Sequence, residues 1–207
     1  SVDGQKFSAA DPTLKARYSR KYFGKDRGVV AYSLLVNHVA LQTELLGANQ
    51  HESYWVFDIC YNNTSDIVPA TITGDMHSIN KANFAILHWF GMNLAPRFTH
   101  LQTQLNHLCC GCDPEESANF LILPAAQIDY ELIVSEKDNI DRIVATLGLK
   151  EMSQSTLVRK LCTLSGHHRT RKAIFEFDKL IRSIYTLRYL RDPQLQRNVH
   201  RSQNRIE

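Results

Sequence analysis

The sequence predicts an α/β domain with a sheet of mixed direction, extended by a run of helices. Three observations carry this. Between Gly28 and Ala48, two aliphatic, β-branched runs are separated near Asn37-His38, the pattern of a β-hairpin. Val68 to Gly74 is another β-branched run, and it climbs to a single acid, Asp75, before a polar elbow opens an amphipathic segment ending at Gly91. From about Glu131 onward the apolar residues recur at helical spacing.

Taken in order, the chain begins with a short strand ending at Asp3-Gly4. Gln5 to Arg27 is polar, basic and aromatic, with Pro12 and Gly24 as breakers and no sustained period, so it reads as mostly loop. The hairpin follows. In His51 to Thr64, Tyr54, Phe57, Asp58 and Tyr61 share one side and Trp55 and Ile59 another, which predicts a buried helix ending at Asn62-Asn63. The strand of about Val68 to Gly74 then delivers Asp75. Ser78 and Asn80 are suited to cap the next helix, whose inner positions are Phe84, Leu87, His88 and Gly91, and Asn93 to Phe98 is a short extended piece closed by Pro96. Leu101 to Leu123 is irregular. Helices are expected from about Glu131 to Gly148, Ser153 to Leu164 and Arg171 to Leu190. The last carries Ile174, Phe177, Leu180, Ile181, Ile184, Tyr185 and Leu187 as its apolar stripe. Asp192-Pro193 supplies an N-cap and a first-turn proline for a final helix reaching Glu207.

With 207 residues, the chain suits one large domain or one domain carrying an insertion. Its 43% hydrophobic and 22% charged content permits a sizeable core and makes disorder the wrong default. No apolar run approaches the roughly 20 residues that span a bilayer. The N-terminal SVDGQKF also lacks a signal pattern, so a soluble, non-exported protein without a membrane partner is expected. Five cysteines, three of them at Cys109, Cys110 and Cys112, fit reduced thiols of a cytoplasm better than a disulfide framework. The net charge of +3 hides an asymmetry: Thr156 to Glu207 has 12 Lys/Arg against 4 Asp/Glu, while Asp113 to Glu151 has 3 against 9. A basic C-terminal quarter suggests a polyanionic partner. Neither end has linker composition, and the chain reads as a piece of something longer.

Three isolated acids occupy suggestive places: Asp3 at the end of the first strand, Asp75 at the end of another, and Glu207 on the last helix. Two strand-end carboxylates and one from a crossing helix can hold two Mg²⁺ or Mn²⁺ ions through oxygen ligands. Such a pair activates water or a 3′ hydroxyl and stabilises the leaving oxygen. The spacing alone is compatible with many other triples among 21 acids.

The segments Ser1-Val-Asp-Gly-Gln-Lys-Phe7, Tyr22-Phe-Gly24, Gly28-Val-Val-Ala-Tyr32, Gly47-Ala-Asn-Gln-His-Glu-Ser53, Tyr61-Asn-Asn-Thr64, Asp75-Met-His-Ser-Ile-Asn80, Asn83-Phe-Ala-Ile-Leu-His88 and Ala95-Pro-Arg-Phe98 resemble, in order and context, the replicative transposases of the Tn-three family. The block from Thr186-Leu-Arg-Tyr-Leu-Arg-Asp-Pro193 to Gln203-Asn-Arg-Ile-Glu207 does as well, and only about Leu108 to Ala126 lacks the likeness. The resemblance implies a ribonuclease H-like core with a DDE triad, interrupted by a helical insertion before the last acid. Residues 1–98 are then the core with the first two acids, 99–190 a mostly helical insertion, and 191–207 the start of the final catalytic helix. Asp3, Asp75 and Glu207 take the three catalytic and metal-binding positions. The implied activity is cleavage of transposon ends to 3′ hydroxyls and strand transfer into target DNA, with two Mg²⁺ or Mn²⁺ ions. The implied partner is double-stranded DNA, bound by a homo-oligomer on paired ends in the bacterial cytoplasm. Ser78 stands where the family mostly shows glycine, and in the family helix usually continues past the glutamate. The chain by itself is therefore expected to be inactive, with Glu207 on a terminus. A nuclease without strand transfer and an inactive DNA-binding remnant are the alternatives.

Other residues carry weaker signals. His77, two after Asp75, either supports the site or hydrogen-bonds the backbone of the elbow. His51 and Glu52 suit a capping or surface role better than chemistry, and Asp58 and Asp66 read as structural or solvated. The cluster His100, His107, Cys109, Cys110 and Cys112 is a poor zinc template, because it lacks a second spaced pair. For DNA, the basic residues among aromatics, Lys6, Arg17, Arg20 and Lys21, are expected to meet phosphates, and so are Arg169, Arg171, Lys172, Arg201 and Arg205 of the C-terminal quarter.

Overall fold

The computed structural model describes residues 1–117 and 119–204. The first elements are β1 (Val2–Ser8), β2 (Arg17–Tyr18), α1 (Arg20–Phe23), β3 (Arg27–Val36) and β4 (Val39–Gly47). β1 pairs antiparallel with β3 along its whole length, from Val2 opposite Leu34 to Ser8 opposite Gly28. The sequence reading of Gln5 to Arg27 as mostly loop is corrected here, since Gln5 to Ser8 continue the strand and Arg20–Phe23 is helical. The strand is held by the ladder to β3, whose alternation is strong, rather than by its own polar residues. Gly28, Val30, Tyr32 and Leu34 are buried while their neighbours are partly exposed. β3 and β4 form the expected hairpin. Asn37 and His38 turn it with positive φ of 49° and 69°, the left-handed pair that a two-residue hairpin loop requires.

A 3₁₀ turn at Glu52–Tyr54 leads into α2 (Val56–Tyr61), which ends at Asn62 as expected and buries Val56, Phe57, Ile59 and Cys60 in one core with Val30, Tyr32 and Leu34. β5 (Thr71–Ile72) and β6 (Asn93–Leu94) pair parallel. Their bonds continue on both sides, with Asn93, Ala95 and Arg97 N–H donating to Ala70, Ile72 and Gly74 carbonyls at 2.8–2.9 Å. The ladder is shorter than the expected Val68 to Gly74: Pro69 has no N–H to offer, and Val68 is 85% exposed. One further bond, Val2 N–H to Thr73 carbonyl at 2.8 Å, sets this small sheet beside β1. The strands thus run β4, β3, β1, β5, β6 across the molecule.

Between β5 and β6 lies α3 (Asn83–Trp89), buried through Phe84, Ala85, Ile86 and Leu87. The stretch after Phe98, expected to be irregular, contains α4 (Leu101–Leu105) and β7 (Cys109–Cys110), which pairs parallel with β8 (Ala126–Gln127). The helical part follows as α5 (Tyr130–Ser135), α6 (Lys137–Gly148), α7 (Gln154–Thr163), α8 (Arg169–Arg191) and α9 (Pro193–Asn204). Asp192 caps α9 as predicted, its Oδ1 accepting from Gln194 and Leu195 N–H at 2.8 and 3.1 Å. The apolar stripe of α8 is in part the expected one. Ile174 and Tyr185 face the core as read, joined by Ala173, Thr186 and Tyr189, whereas Ile184 and Leu187 are exposed. Tyr185 and Tyr189 stack at their edges on Phe98, and the Tyr185 hydroxyl donates to the Pro96 carbonyl at 2.8 Å, so two aromatic residues set the helix's rotation. No described helix is long and apolar enough to cross a membrane.

Helix N-termini meet in the interior, and side chains far away in sequence satisfy their N–H groups. Gln154 at the start of α7 accepts from Phe57 N–H at 2.7 Å and donates to Asn83 Oδ1. Asp58 returns the favour, accepting from Gln154 and Ser155 N–H at 2.7 and 3.1 Å. Burial pushes the Asp58 carboxyl up, against the pull of those two N–H groups. The N-terminus of α3 is capped by Asp178 of α8, which accepts from Phe84 and Ala85 N–H, and not by Ser78 or Asn80. Gln154→Met keeps the volume but leaves the buried Phe57 N–H and Asn83 Oδ1 without partners. It should destabilise the chain by roughly 2–4 kcal/mol in urea unfolding, taking about 1–3 kcal/mol for each orphaned group.

Candidate active site

Asp3 sits on β1 opposite Ser33, and Asp75 follows Gly74 at the end of the β5 ladder. The Val2–Thr73 bond makes these strands neighbours. A Cβ on Gly74 would lie 3.2 Å from Val2 Cγ2, so Val2 faces Gly74 and the two aspartates follow on adjoining strands. Both are partly exposed. The third expected acid, Glu207, and Arg205 lie outside the described residues. The described part of α9 ends near these strands: Ser202 shares a hollow with Ser1, Leu35 and Thr71.

The elbow after Asp75 is a 3₁₀ turn, Met76–Ser78, capped by Asp75 itself. Asp75 Oδ1 accepts from His77 N–H at 2.9 Å, and Oδ2 lies 2.5 Å from His77 Nδ1. His77 therefore holds the carboxylate through both oxygens. Ser78 Oγ donates to the Asp75 carbonyl at 2.7 Å and lies 2.7 Å from where a Gly74 Cβ would be. The turn closes around the serine because residue 74 has no side chain.

A second segment, His51–Ser53, docks on this elbow. Asn80 and Asn83 side chains donate to the Ser53 carbonyl at 3.0 and 2.8 Å, and the His51 and His77 rings are 6.5 Å apart. Burial, then the neighbouring His77 charge, holds the His51 imidazole below its ordinary range. Glu52 pairs with Lys6 Nζ at 3.0 Å. Its carboxyl Cδ is 2.5 Å from the position of a Gly4 Cβ, directly against β1 one residue after Asp3. Of the capping or surface role expected for His51 and Glu52, His51 takes the cap, its Nδ1 accepting from Ser53 N–H at 3.3 Å, while Glu52 packs on β1. The available signal was Gly4 inside a strand, which marks a close approach of another group to the backbone. Tyr32 is opposite Gly4 in the ladder and so projects on the same face; it is 1% exposed and its hydroxyl has no hydrogen-bond partner. Burial, then the charges of Cys60, Glu52, Asp75 and Asp3, drives that hydroxyl well above the usual tyrosine range.

The basic residues expected at DNA are distributed over several places. Lys6 and Lys21 flank the Tyr22 ring at 4.7 and 4.8 Å, with Arg20 beside them on α1. Burial lowers the Lys6 ammonium, but the hydrogen bond and charge of Glu52 outweigh it and the net shift is upward. Arg17 is exposed and donates to the Leu14 and Ala16 carbonyls. At the start of α8, Arg169 pairs with Glu136 at 3.1 Å, Arg171 lies over Phe175 and Lys172 is exposed. Arg201 is exposed on α9, next to His200, which meets Tyr189 in the last turns of α8. Cys110 and Cys112 point to carbonyl and hydroxyl neighbours, and no three His, Cys, Asp or Glu among the described residues form a ready ligand set.

Carboxylate oxygens such as those of Asp3 and Asp75 suit hard divalent cations better than zinc. Gly4→Ala sets a Cβ against the Glu52 carboxyl, the end of a flexible side chain that can shift, and should cost about 1 kcal/mol or less. Thermal unfolding checks the size, and substituting Glu52→Ala in the same background should recover part of it.

Fold and site together define a mixed α/β domain that presents acids at the meeting of two small sheets. Residues 1–207 match the family model described as the Tn3 transposase DDE domain, and the chain belongs to that family. It is 23% identical over 211 residues to the transposase for transposon gamma-delta of Escherichia coli (strain K12), a match that covers 100% of this chain and 21% of that protein. To the transposase for transposon Tn501 of Pseudomonas aeruginosa it is 22% identical over 208 residues, covering 100% and 21%. To that for transposon Tn4556 of Streptomyces fradiae it is 22% identical over 200 residues, covering 96% and 22%. The chain spans about a fifth of the length of the curated relatives it matches. No solved structure matches it.

Proposed function

We propose that this chain is the catalytic domain of a replicative transposase, with a ribonuclease H-like core in which Asp3, Asp75 and Glu207 are the metal-binding and catalytic acids. The observation that carries the reading is the bond from Val2 to Thr73, which sets the strand of Asp3 beside the strand that ends in Asp75. The ribonuclease H-like assignment is supported by the strand sequence β4, β3, β1, β5, β6, an antiparallel hairpin and first strand followed by a parallel pair. In this reading residues 1–98 form the core, 99–190 the insertion, and 191–207 the helix that brings Glu207.

When bound, two Mg²⁺ or Mn²⁺ ions polarise the scissile phosphate and lower the barrier to an oxygen nucleophile. Asp3 and Asp75 present their oxygens from rigid strand positions, and His77 orients the Asp75 carboxylate. In the first step water displaces the 3′ oxygen at the transposon end, freeing a 3′ hydroxyl. In the second that hydroxyl displaces a 3′ oxygen in target DNA, joining the strands. Both are in-line transfers that need no covalent enzyme intermediate. Lys6, Arg17, Arg20 and Lys21, together with Arg169, Arg171, Lys172, Arg201 and Arg205, contact the duplex backbone. The full-length protein works as a homo-oligomer on paired ends in the bacterial cytoplasm.

In the full-length protein, Asp3→Asn, Asp75→Asn and Glu207→Gln should each lower end cleavage and strand joining by roughly a thousandfold or more, with end binding retained in gel shifts. Substantial joining by one of them removes that residue from the site, and hydrolysis without joining by the wild type favours a simple nuclease. A log–log plot of DNA affinity against salt should be steep, and Arg20→Ala and Lys21→Ala should each reduce its slope by about one unit. A flat plot excludes phosphate contact.

A further inference from the structure

We propose that Phe7 and Tyr18 stack on the bases of an unpaired DNA strand laid across the face of the sheet that carries Asp3. The inference rests on the reading of Asp3 as a catalytic acid and deepens it by naming the form of DNA that this face takes.

Register is the first argument. Successive side chains of a strand point to opposite faces. On β1, Asp3, Gln5 and Phe7 therefore share the face turned away from Val2, Gly4 and the core. Their partners Ser33, Ala31 and Val29 on β3 stand on that face, and beyond them so do Thr43 and Leu45 on β4. Tyr18 joins it, because it is paired with Arg27, two residues before Val29. The buried set of β3, Val30, Tyr32 and Leu34, is on the other side.

Exposure is the second. Phe7, Tyr18 and Leu45 are 50%, 53% and 49% exposed, and Gln5, Arg27 and Thr43 are exposed beside them. One sheet face thus offers two bare rings and a guanidinium, and Phe7 lies about 13 Å along the strand from Asp3. An exposed patch of this kind marks an interaction surface, and its rings call for a flat partner.

Charge names that partner. The excursion from Lys15 to Arg27, which carries Tyr18 and ends on this face, holds six Lys/Arg against one Asp. Among the described residues none of the six pairs with a carboxylate. A polyanion complements this rim, which an apolar protein surface would leave unanswered. A duplex presents phosphates and base edges while its base faces stay stacked on one another. Only unpaired bases have faces to offer Phe7 and Tyr18.

Binding of a single-stranded thymidine oligonucleotide carrying one fluorescent aminopurine to the 207-residue chain tests this, since stacking on an aromatic ring quenches that base. Phe7→Ala and Tyr18→Ala should each weaken strand binding about tenfold and relieve the quenching, with duplex affinity kept within about twofold. Tyr18→Phe keeps the ring and should bind as the wild type does. Unchanged strand binding in both alanine variants overturns the proposal. Equal losses for strand and duplex overturn it too, because they mark a general contact in place of stacking. Dissociation of a dimer of this chain by either alanine variant, seen in sedimentation, makes the face a protein interface and rejects the DNA strand. Joining by full-length Asp3→Asn overturns the reading beneath, and selective strand loss in Phe7→Ala would still support the stacking. Should Phe7→Ala fail to fold by circular dichroism, Tyr18→Ala against Tyr18→Phe decides: weaker strand binding in the first alone supports the proposal, and equal binding rejects it.

Discussion

The interior junction of Gln154, Asn83, Asp58 and Asp178 is the constraint on which the remaining structure depends. Three helices, α2, α3 and α7, point their N-termini into the core, where unpaired N–H groups are costly. Each is satisfied by a side chain from another helix, across 94 to 97 residues of sequence. Breaking one contact therefore exposes donors on two elements at once. Asp178 shows how tightly the junction is closed. Burial pushes its carboxyl up to about 6, although Arg182 and the N–H groups of Ala85 and Phe84 pull the other way.

The same junction reaches the candidate site. Asn83, which receives Gln154, also donates to the carbonyls of Ser53 and Ser78 at 2.8 and 2.6 Å. Ser53 belongs to the turn that places Glu52, and Ser78 closes the elbow of Asp75. Helices that follow the sheet in sequence thus help to fix the loops at its acid-bearing end. Arg182 strengthens the link, bonding both Asp178 and the Asn80 carbonyl. Such a scaffold suits phosphoryl transfer, where the protein's contribution is mainly positioning and electrostatics.

Most of the elements were legible because their signals are local. Asn37-His38 between aliphatic runs specifies a hairpin, and Asp192-Pro193 specifies a helix start; both occur as read. The failures are non-local. Gln5 to Ser8 is strand because β3 offers a complete ladder, and no feature of four polar or exposed residues announces that. Ser78 and Asn80 looked like caps for α3, but the cap comes from Asp178, 94 residues away from Phe84. On α8 Ile174 and Tyr185 turn inward as read, but Ile184 and Leu187 do not, because Tyr185 and Tyr189 pack on Phe98 and fix the helix's rotation. Asp75 follows its strand as read, but Asp3, read as a strand end, lies near the start of β1, which runs on to Ser8. The packing of Glu52 was not legible, since it depends on what lies over Gly4.

Charge counting has a similar limit. The C-terminal quarter carries 12 Lys/Arg against 4 Asp/Glu, which suggests a uniformly positive surface. In the fold, several of those cations are committed elsewhere: Arg169 to Glu136, Lys179 to Glu176 and Arg182 to Asp178. Arg169 draws on the acidic stretch of 113–151, so part of the asymmetry along the chain is cancelled in space. Both carboxylates, Glu136 and Asp178, are buried. Glu136 keeps the Asn139 and Thr170 side chains as donors if Arg169 swings away. Asp178 also caps α3, so releasing Arg182 would leave a buried charge uncompensated beside that cap, and Arg182 acts as part of the scaffold.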